Sequence, residues 1–135
     1  MRAFIVSLDN RPGTLADLGD ALGERGINIT GVAGTTWEGT GAAGIVTNDD
    51  AGATAALDEG GFAYRQIDVV SATVEDRPGS LGEAARRLSD AGVNIELILP
   101  SGMQNSRVTL ALGVDNAERA REALGELAAT GPQAV

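Results

Sequence analysis

The side chains best suited to holding a ligand sit in two short stretches that share one pattern. The first reads Asp9-Asn10-Arg11-Pro12-Gly13-Thr14-Leu15 and is followed, after a helical run, by Gly26-Ile27-Asn28-Ile29. The second reads Glu75-Asp76-Arg77-Pro78-Gly79-Ser80-Leu81, and a run of the same length leads to Gly92-Val93-Asn94-Ile95. Arg11 and Arg77 are as far apart as Gly26 and Gly92, so turn, helix and re-entry repeat in register. Such a repeat marks duplication of one supersecondary unit. Each copy carries an Arg-Pro-Gly turn into a helix N-terminus, where outward-pointing backbone N–H groups favour a small anion.

Composition removes most other chemistry. The chain of 135 residues has no cysteine and no histidine. Disulfides, thiolate metal sites, Cys nucleophiles and Ser-His-Asp triads are therefore excluded. Every basic residue is an arginine, which excludes Schiff-base lysines and the lysine of a phosphate-binding P-loop. No carboxylate pair stands out near either turn, so no catalytic residue and no cofactor is assigned. Asp49-Asp50 suits a helix N-terminus better than a metal. The net charge is −9, and the only aromatic residues are Phe4, Trp37, Phe62 and Tyr64. An acidic surface without an aromatic platform repels nucleic acid. No apolar run has the length of a membrane span, and Met1 to Val6 enters a strand pattern without a signal-peptide layout. A cytoplasmic protein is expected.

The elements that position these turns follow from periodicity. Ala3 to Leu8 alternates as a strand. From Thr14 to Arg25, Leu15, Leu18 and Leu22 form a helical stripe, which Gly26 ends. Strands are predicted over Ile27–Thr36 and Ala42–Thr47, with Trp37 to Gly41 as the turn between them. A helix over Ala51–Glu59 and a strand over Phe62–Ile67 complete a β-α-β-β-α-β unit. The second copy predicts a strand over Val69–Val74 and a helix over Ser80–Ala91 with Leu81, Ala84, Ala85 and Leu88 inward. A strand over Val93–Leu99 is stopped by Pro100, and another covers Arg107–Val114. The last helix runs through Leu127, opened by capping-box spacing at Asp115 to Glu118. The units are placed at 1–67 and 68–135, rigidly coupled because no Gly or Pro interrupts Phe62 to Glu75. Too few residues follow Thr130-Gly131-Pro132 for a full fourth strand. The second sheet would then expose an edge, which a partner subunit would cover, so a homodimer is expected.

A β-α-β-β-α-β unit with Asp-Asn-Arg-Pro-Gly-Thr-Leu and a downstream Gly-Ile-Asn-Ile resembles the ACT domain, a small amino-acid-sensing regulatory module. The match covers nearly the whole chain, twice, and is similar to stand-alone proteins made of two tandem ACT units. The resemblance implies an α+β fold of two ferredoxin-like units, antiparallel sheets with helices on one face. It also implies that the protein is not an enzyme, and that a small amino acid or related metabolite lies against the strand-one to helix-one loops at an ACT–ACT interface. A separate amino-acid biosynthetic enzyme is a possible partner. The ligand-contacting set carried over is Asn10, Arg11, Pro12, Gly13, Thr14, Leu15, Asn28 and Ile29 in unit one. In unit two it is Asp76, Arg77, Gly79, Ser80, Leu81 and Asn94. An asparagine amide both donates and accepts, which suits an amino and carboxylate pair.

In the serine-sensing ACT domain of phosphoglycerate dehydrogenases, a His and two Asn residues make the site. The two Asn positions match Asn10 and Asn28, while the His position falls on Leu8. In unit two the first Asn position is Asp76, which adds negative charge beside a carboxylate subsite. Unit one is therefore the better candidate, and the second loop serves chiefly to start a helix. Structural roles compete with these assignments. Pro12-Gly13 and Pro78-Gly79 suit a tight helix entry. Asn28 and Asn94 suit turn backbone. Arg11 and Arg77 suit a solvated surface, an acidic neighbour or a ligand carboxylate. Trp37 marks an interface or a pocket lid, or folds back on its sheet; Met103 is a flexible filler.

Overall fold

Hydrophobic alternation and capping residues give the order β1 (Arg2–Asp9), α1 (Thr14–Gly23), β2 (Ile29–Trp37), β3 (Thr40–Thr47), α2 (Asp50–Glu59) and β4 (Tyr64–Glu75). There follow α3 (Ser80–Asp90), β5 (Ile95–Gln104), β6 (Arg107–Val114), α4 (Ala117–Leu124) and a 3-10 turn at Gly125–Leu127. The computed structural model describes residues 1–128. The expected shortage of a fourth strand in the second unit concerns residues 129–135 and lies outside the described residues. The fold is α+β, with antiparallel strands and two ferredoxin-like βαββαβ units. One compact unit is Arg2–Gln66, and the other is Ile67–Val135 together with Met1. Among the described residues, no helix is long and apolar enough to cross a membrane.

In the first unit β1 pairs with β3, and β3 with β2. Beyond β1, the Ser7 N–H donates to the Ala63 carbonyl at 2.9 Å, next to the opening residues of β4. Residues directly opposite each other share a face, so Phe4, Ile45 and Val32 make one row. Val6, Ala43 and Gly34 make the next, then Leu8, Gly41 and Thr36. Phe4, Val6, Ala43 and Ile45 pack with Leu18 and Leu22 of α1 and with Ala53, Ala56 and Leu57 of α2. Each fully buried Leu, Ile or Phe contributes about 1.5–3 kcal/mol. β2 is the edge strand of this sheet, and its Val32 remains half exposed.

The second unit repeats the plan. β4 pairs with β6 and β6 with β5. Val70, Ala72, Leu110, Leu112 and Val114 pack with Ala84 and Leu88 of α3 and with Ala120 and Leu124 of α4. Ala72 also forms an antiparallel bridge with Ala128.

Several expectations change. The strands over Phe62–Ile67 and Val69–Val74 are one strand, Tyr64–Glu75, since nothing in that run breaks pairing. β5 does not stop at Pro100 but reaches Gln104, with a register shift between Pro100 and Gly102. An edge strand and a bulge tolerate the missing N–H. Helix α4 ends at Leu124, where Gly125 adopts φ 56°. Its cap is Asn116, whose side chain accepts from the Arg119 N–H at 3.0 Å. Asp115 instead accepts from the Asn94 N–H at 2.9 Å, so the expected capping box does not form. Leu15 and Leu81 face outward, 59% and 53% exposed, and Ala85 is half-buried, while Leu18, Leu22, Ala84 and Leu88 are buried.

Candidate functional site

The loop after β1 is shaped by its own residues. The Thr14 hydroxyl lies 2.9 Å from the Asp9 carbonyl and 3.3 Å from that of Arg11. Gly13 closes the turn at φ 96°, a left-handed conformation that L side chains avoid. Its backbone carbonyl accepts from Asp17 at 2.9 Å, but no side chain caps α1. By contrast, Asp49 caps α2 by accepting from the Gly52 N–H at 2.9 Å. The first turn of α1 therefore keeps its partial positive charge turned outward beside Asn10 and Arg11.

Beside this loop a cavity of about 520 Å³ runs between the start of α1 and the edge strand β2. Asn10, Arg11 and Thr14 stand at its mouth. Leu15 and Val32 form its walls, and Leu8, Gly34, Gly41 and Ala43 its floor. The floor is low at Gly34, Gly41 and Ala43, which carry little or no side chain. A β-carbon on Gly41 would sit 2.7 Å from the Leu8 carbonyl oxygen, so that backbone approach needs glycine.

The corresponding rows of the second unit are filled. Val108, opposite Val74 and Met103, stands where Gly41 stands in the first unit. Leu110 and Pro100 replace Ala43 and Gly34. Its loop is also closed by charge. Arg77 Nε donates to Glu75 Oε2 at 2.7 Å, and Nη2 lies 3.1 and 3.0 Å from the two Glu83 oxygens. Nη1 reaches the Pro78 carbonyl at 3.3 Å. These bonds, to Glu75 first and then Glu83, raise the Arg77 pKa further above its ordinary value. Among the described residues Arg11 has only Asp9, at 3.8 Å, and its side chain is 60% exposed. Asp9 and Asp17 occupy the positions of Glu75 and Glu83 with one methylene less.

The Ser80 hydroxyl bonds the Glu75 and Arg77 carbonyls, as Thr14 does in the first loop. Gly79 adopts φ 90°. Asp76 anchors its turn by donating its N–H to the Ser106 carbonyl at 2.8 Å.

Asn28 and Ile29 are not brought to the Asn10 loop of their own unit. Ile29 opens β2 opposite Thr47, whereas Asn10 follows Asp9, which faces Thr40. Those two ends of β3 are about 24 Å apart at the usual rise of about 3.4 Å per residue. There Asn48 Oδ1 accepts from the Asn28 N–H at 3.0 Å, and the Asn28 carbonyl accepts from Asn48 at 3.1 Å. Asn94 lies at the corresponding end of the second unit, lining a cavity of about 420 Å³ with Ser89 and Ile95. Trp37 does not fold back on its sheet; it is 75% exposed. Among the described residues no group of carboxylates could hold a metal.

The residues that composition and motif missed are Val32, Gly34, Thr36, Gly41 and Ala43. Their signal lay in the repeat, because small residues in the first β-hairpin become Pro100, Val108 and Leu110 in the second.

The family model described as "ACT domain pair" matches residues 1–128. No curated protein matches the sequence. Among solved structures, a protein from Bacteroides thetaiotaomicron is 25% identical with a TM-score of 0.74, over 93% of this chain and 86% of that one. The regulatory subunit of aspartate kinase from Thermus thermophilus is 21% identical with a TM-score of 0.66, over 93% and 90%. That from Thermus flavus is 22% identical with a TM-score of 0.65, over 93% and 92%. These likenesses report shared fold.

Proposed function

From the premise that the chain belongs to the ACT domain pair family, we propose that it is a non-enzymatic sensor of a small amino acid. It works in the cytoplasm as a homodimer and reports the ligand to other proteins. The ligand lies at the Asn10–Leu15 loop of the first unit. Its carboxylate is taken by the first turn of α1 and by Arg11, and its ammonium by the Asn10 amide oxygen. The far-placed Asn28 or Asn94 end would be supplied by another ACT unit, giving a site shared across an interface.

The observation that carries this reading is the contrast between the two loops. Among the described residues Arg11 is held only by a 3.8 Å contact to Asp9, at the mouth of an open cavity. Arg77, at the same place in the pattern, is bonded by Glu75, Glu83 and the Pro78 carbonyl. A hydrogen bond to a charged group is worth about 1.5–3 kcal/mol. Isothermal titration against the common amino acids is the test. Arg11→Ala is expected to weaken the binding amino acid by about 10–100-fold, and Arg77→Ala to leave it unchanged. Equal losses in both variants would refute the assignment to the first loop.

A second reading is a regulatory subunit of a separate biosynthetic enzyme, without a working ligand site. It draws on the two solved chains of this fold whose names make them regulatory subunits of aspartate kinase. Failure of every amino acid to shift the melting temperature would favour it. A ligand at about 100-fold over its Kd should stabilise the fold by about 2.7 kcal/mol.

A further inference from the structure

We infer that the ligand of the first-unit cavity is an α-amino acid with an unbranched or branched aliphatic side chain, not lysine, aspartate or serine. This rests on the amino-acid reading above and adds what selects among amino acids. The mouth of the cavity carries its charge, and its interior is mostly apolar and uncharged. Asn10, Arg11 and Thr14 meet the zwitterion, which all amino acids share. What lies beyond is Leu8, Leu15, Val32 and the bare floor at Gly34, Gly41 and Ala43, with Thr35 and Thr36 as its only uncharged polar side chains among the described residues. Asp9 touches the cavity but its side chain is 83% exposed and leaves the floor uncharged. A lysine ammonium or an aspartate carboxylate entering there would lose water and gain no opposite charge. An aliphatic chain gains from burial and fills space that the second unit fills with Val108, Leu110 and Pro100.

Gly34 offers a clean plug. It lies opposite Ala43, on the helix-covered face. A β-carbon there would meet only the Ala42 carbonyl oxygen, at an ordinary 3.6 Å. Gly34→Val therefore puts side chain into the cavity without forcing the backbone, and valine favours a strand.

The experiment is titration of the full chain with glycine, L-alanine, L-2-aminobutyrate, L-norvaline and L-norleucine, beside L-leucine, L-lysine, L-aspartate and L-serine. Kd is expected to fall by about fourfold per added methylene until the floor is reached. L-leucine is expected to bind at least about tenfold more tightly than L-lysine, a difference of about 1.4 kcal/mol. Gly34→Val, checked by circular dichroism and an unshifted melting curve, is expected to abolish leucine binding. Val32→Asp, at a half-exposed wall position, is expected to weaken leucine and narrow its margin over lysine. Tighter binding of lysine, aspartate or serine, or a flat homologous series, overturns the aliphatic assignment while leaving an amino-acid sensor. Unchanged leucine binding in both variants removes the ligand from this cavity. No binding by any amino acid overturns the sensor reading and this inference together.

Discussion

One methylene in each neighbouring carboxylate separates the surroundings of Arg11 and Arg77. Glu75 and Glu83 are long enough to hold Arg77 at 2.7 and 3.0 Å. Asp9 reaches Arg11 only to 3.8 Å, and Asp17 occupies the position of Glu83. Exposed pairs of this kind contribute little to stability, about 0–1 kcal/mol. Their effect is on availability: with Nε and Nη2 held by carboxylates, Arg77 offers a ligand carboxylate fewer donors than Arg11 does. The double substitution Asp9→Glu, Asp17→Glu should make the first loop resemble the second. Amino-acid affinity is expected to fall by about tenfold, while the unfolding free energy from urea melts changes by less than about 1 kcal/mol. An unchanged affinity would show that Arg11 is not a ligand contact.

At the scale of elements, the helices that bear the loops differ from those that do not. α2 and α4 are capped by Asp49 and Asn116, which satisfy first-turn N–H groups. α1 and α3 begin at left-handed glycines without a side-chain cap. A side-chain cap is worth about 0.5–2 kcal/mol, and its absence leaves the anion-favouring end open. The C-terminal end of α4 is tied to α3 by Arg87. Its Nη1 donates to the Leu124 carbonyl at 2.8 Å and its Nη2 to Glu126 Oε1 at 2.6 Å. The Arg87 bond, then the backbone N–H of Glu126, lower the Glu126 carboxyl from the ordinary 4.5 to about 2. A depressed carboxyl contributes stability that is complete above its unfolded pKa and is lost as pH falls through the folded one. Wild-type stability should therefore decline between about pH 5 and pH 2 by more than in Glu126→Gln. Parallel acid melts that coincide would show that this ion pair carries no linkage.

For the whole molecule, duplication explains both the likeness and the division of labour. Each unit buries its own set of apolar residues. Each also leaves large apolar side chains exposed: Leu15, Val32 and Trp37 in the first, Leu81, Ile98 and Met103 in the second. Exposed apolar groups on an edge strand and the adjoining helix invite a partner, and the proposed homodimer would use them. Sedimentation at micromolar concentration is expected to give twice the mass of the 13.7 kDa chain. Charged substitutions at Leu15 and Leu81 are expected to return it to a monomer. A monomeric wild type would remove the shared-site proposal.

What the sequence by itself determined is the part governed by local forces. Apolar periodicity, helix-stopping glycines and the doubled Arg-Pro-Gly turn were enough for two βαββαβ units and for Asn10, Arg11, Thr14 and Leu15 as one cluster. Periodicity failed at Leu15 and Leu81, where a helical stripe extends past the sheet that covers it. It failed again at Pro100, because a proline on an edge strand costs no ladder bond. Tertiary structure alone decided the rest. Strand register laid Gly34, Gly41 and Ala43 side by side as a cavity floor, and it set Asn28 about a sheet's length, roughly 24 Å, from Asn10. The reach of a carboxylate decided which arginine is occupied. Register and reach depend on residues far apart in the chain, so no window of sequence contains them.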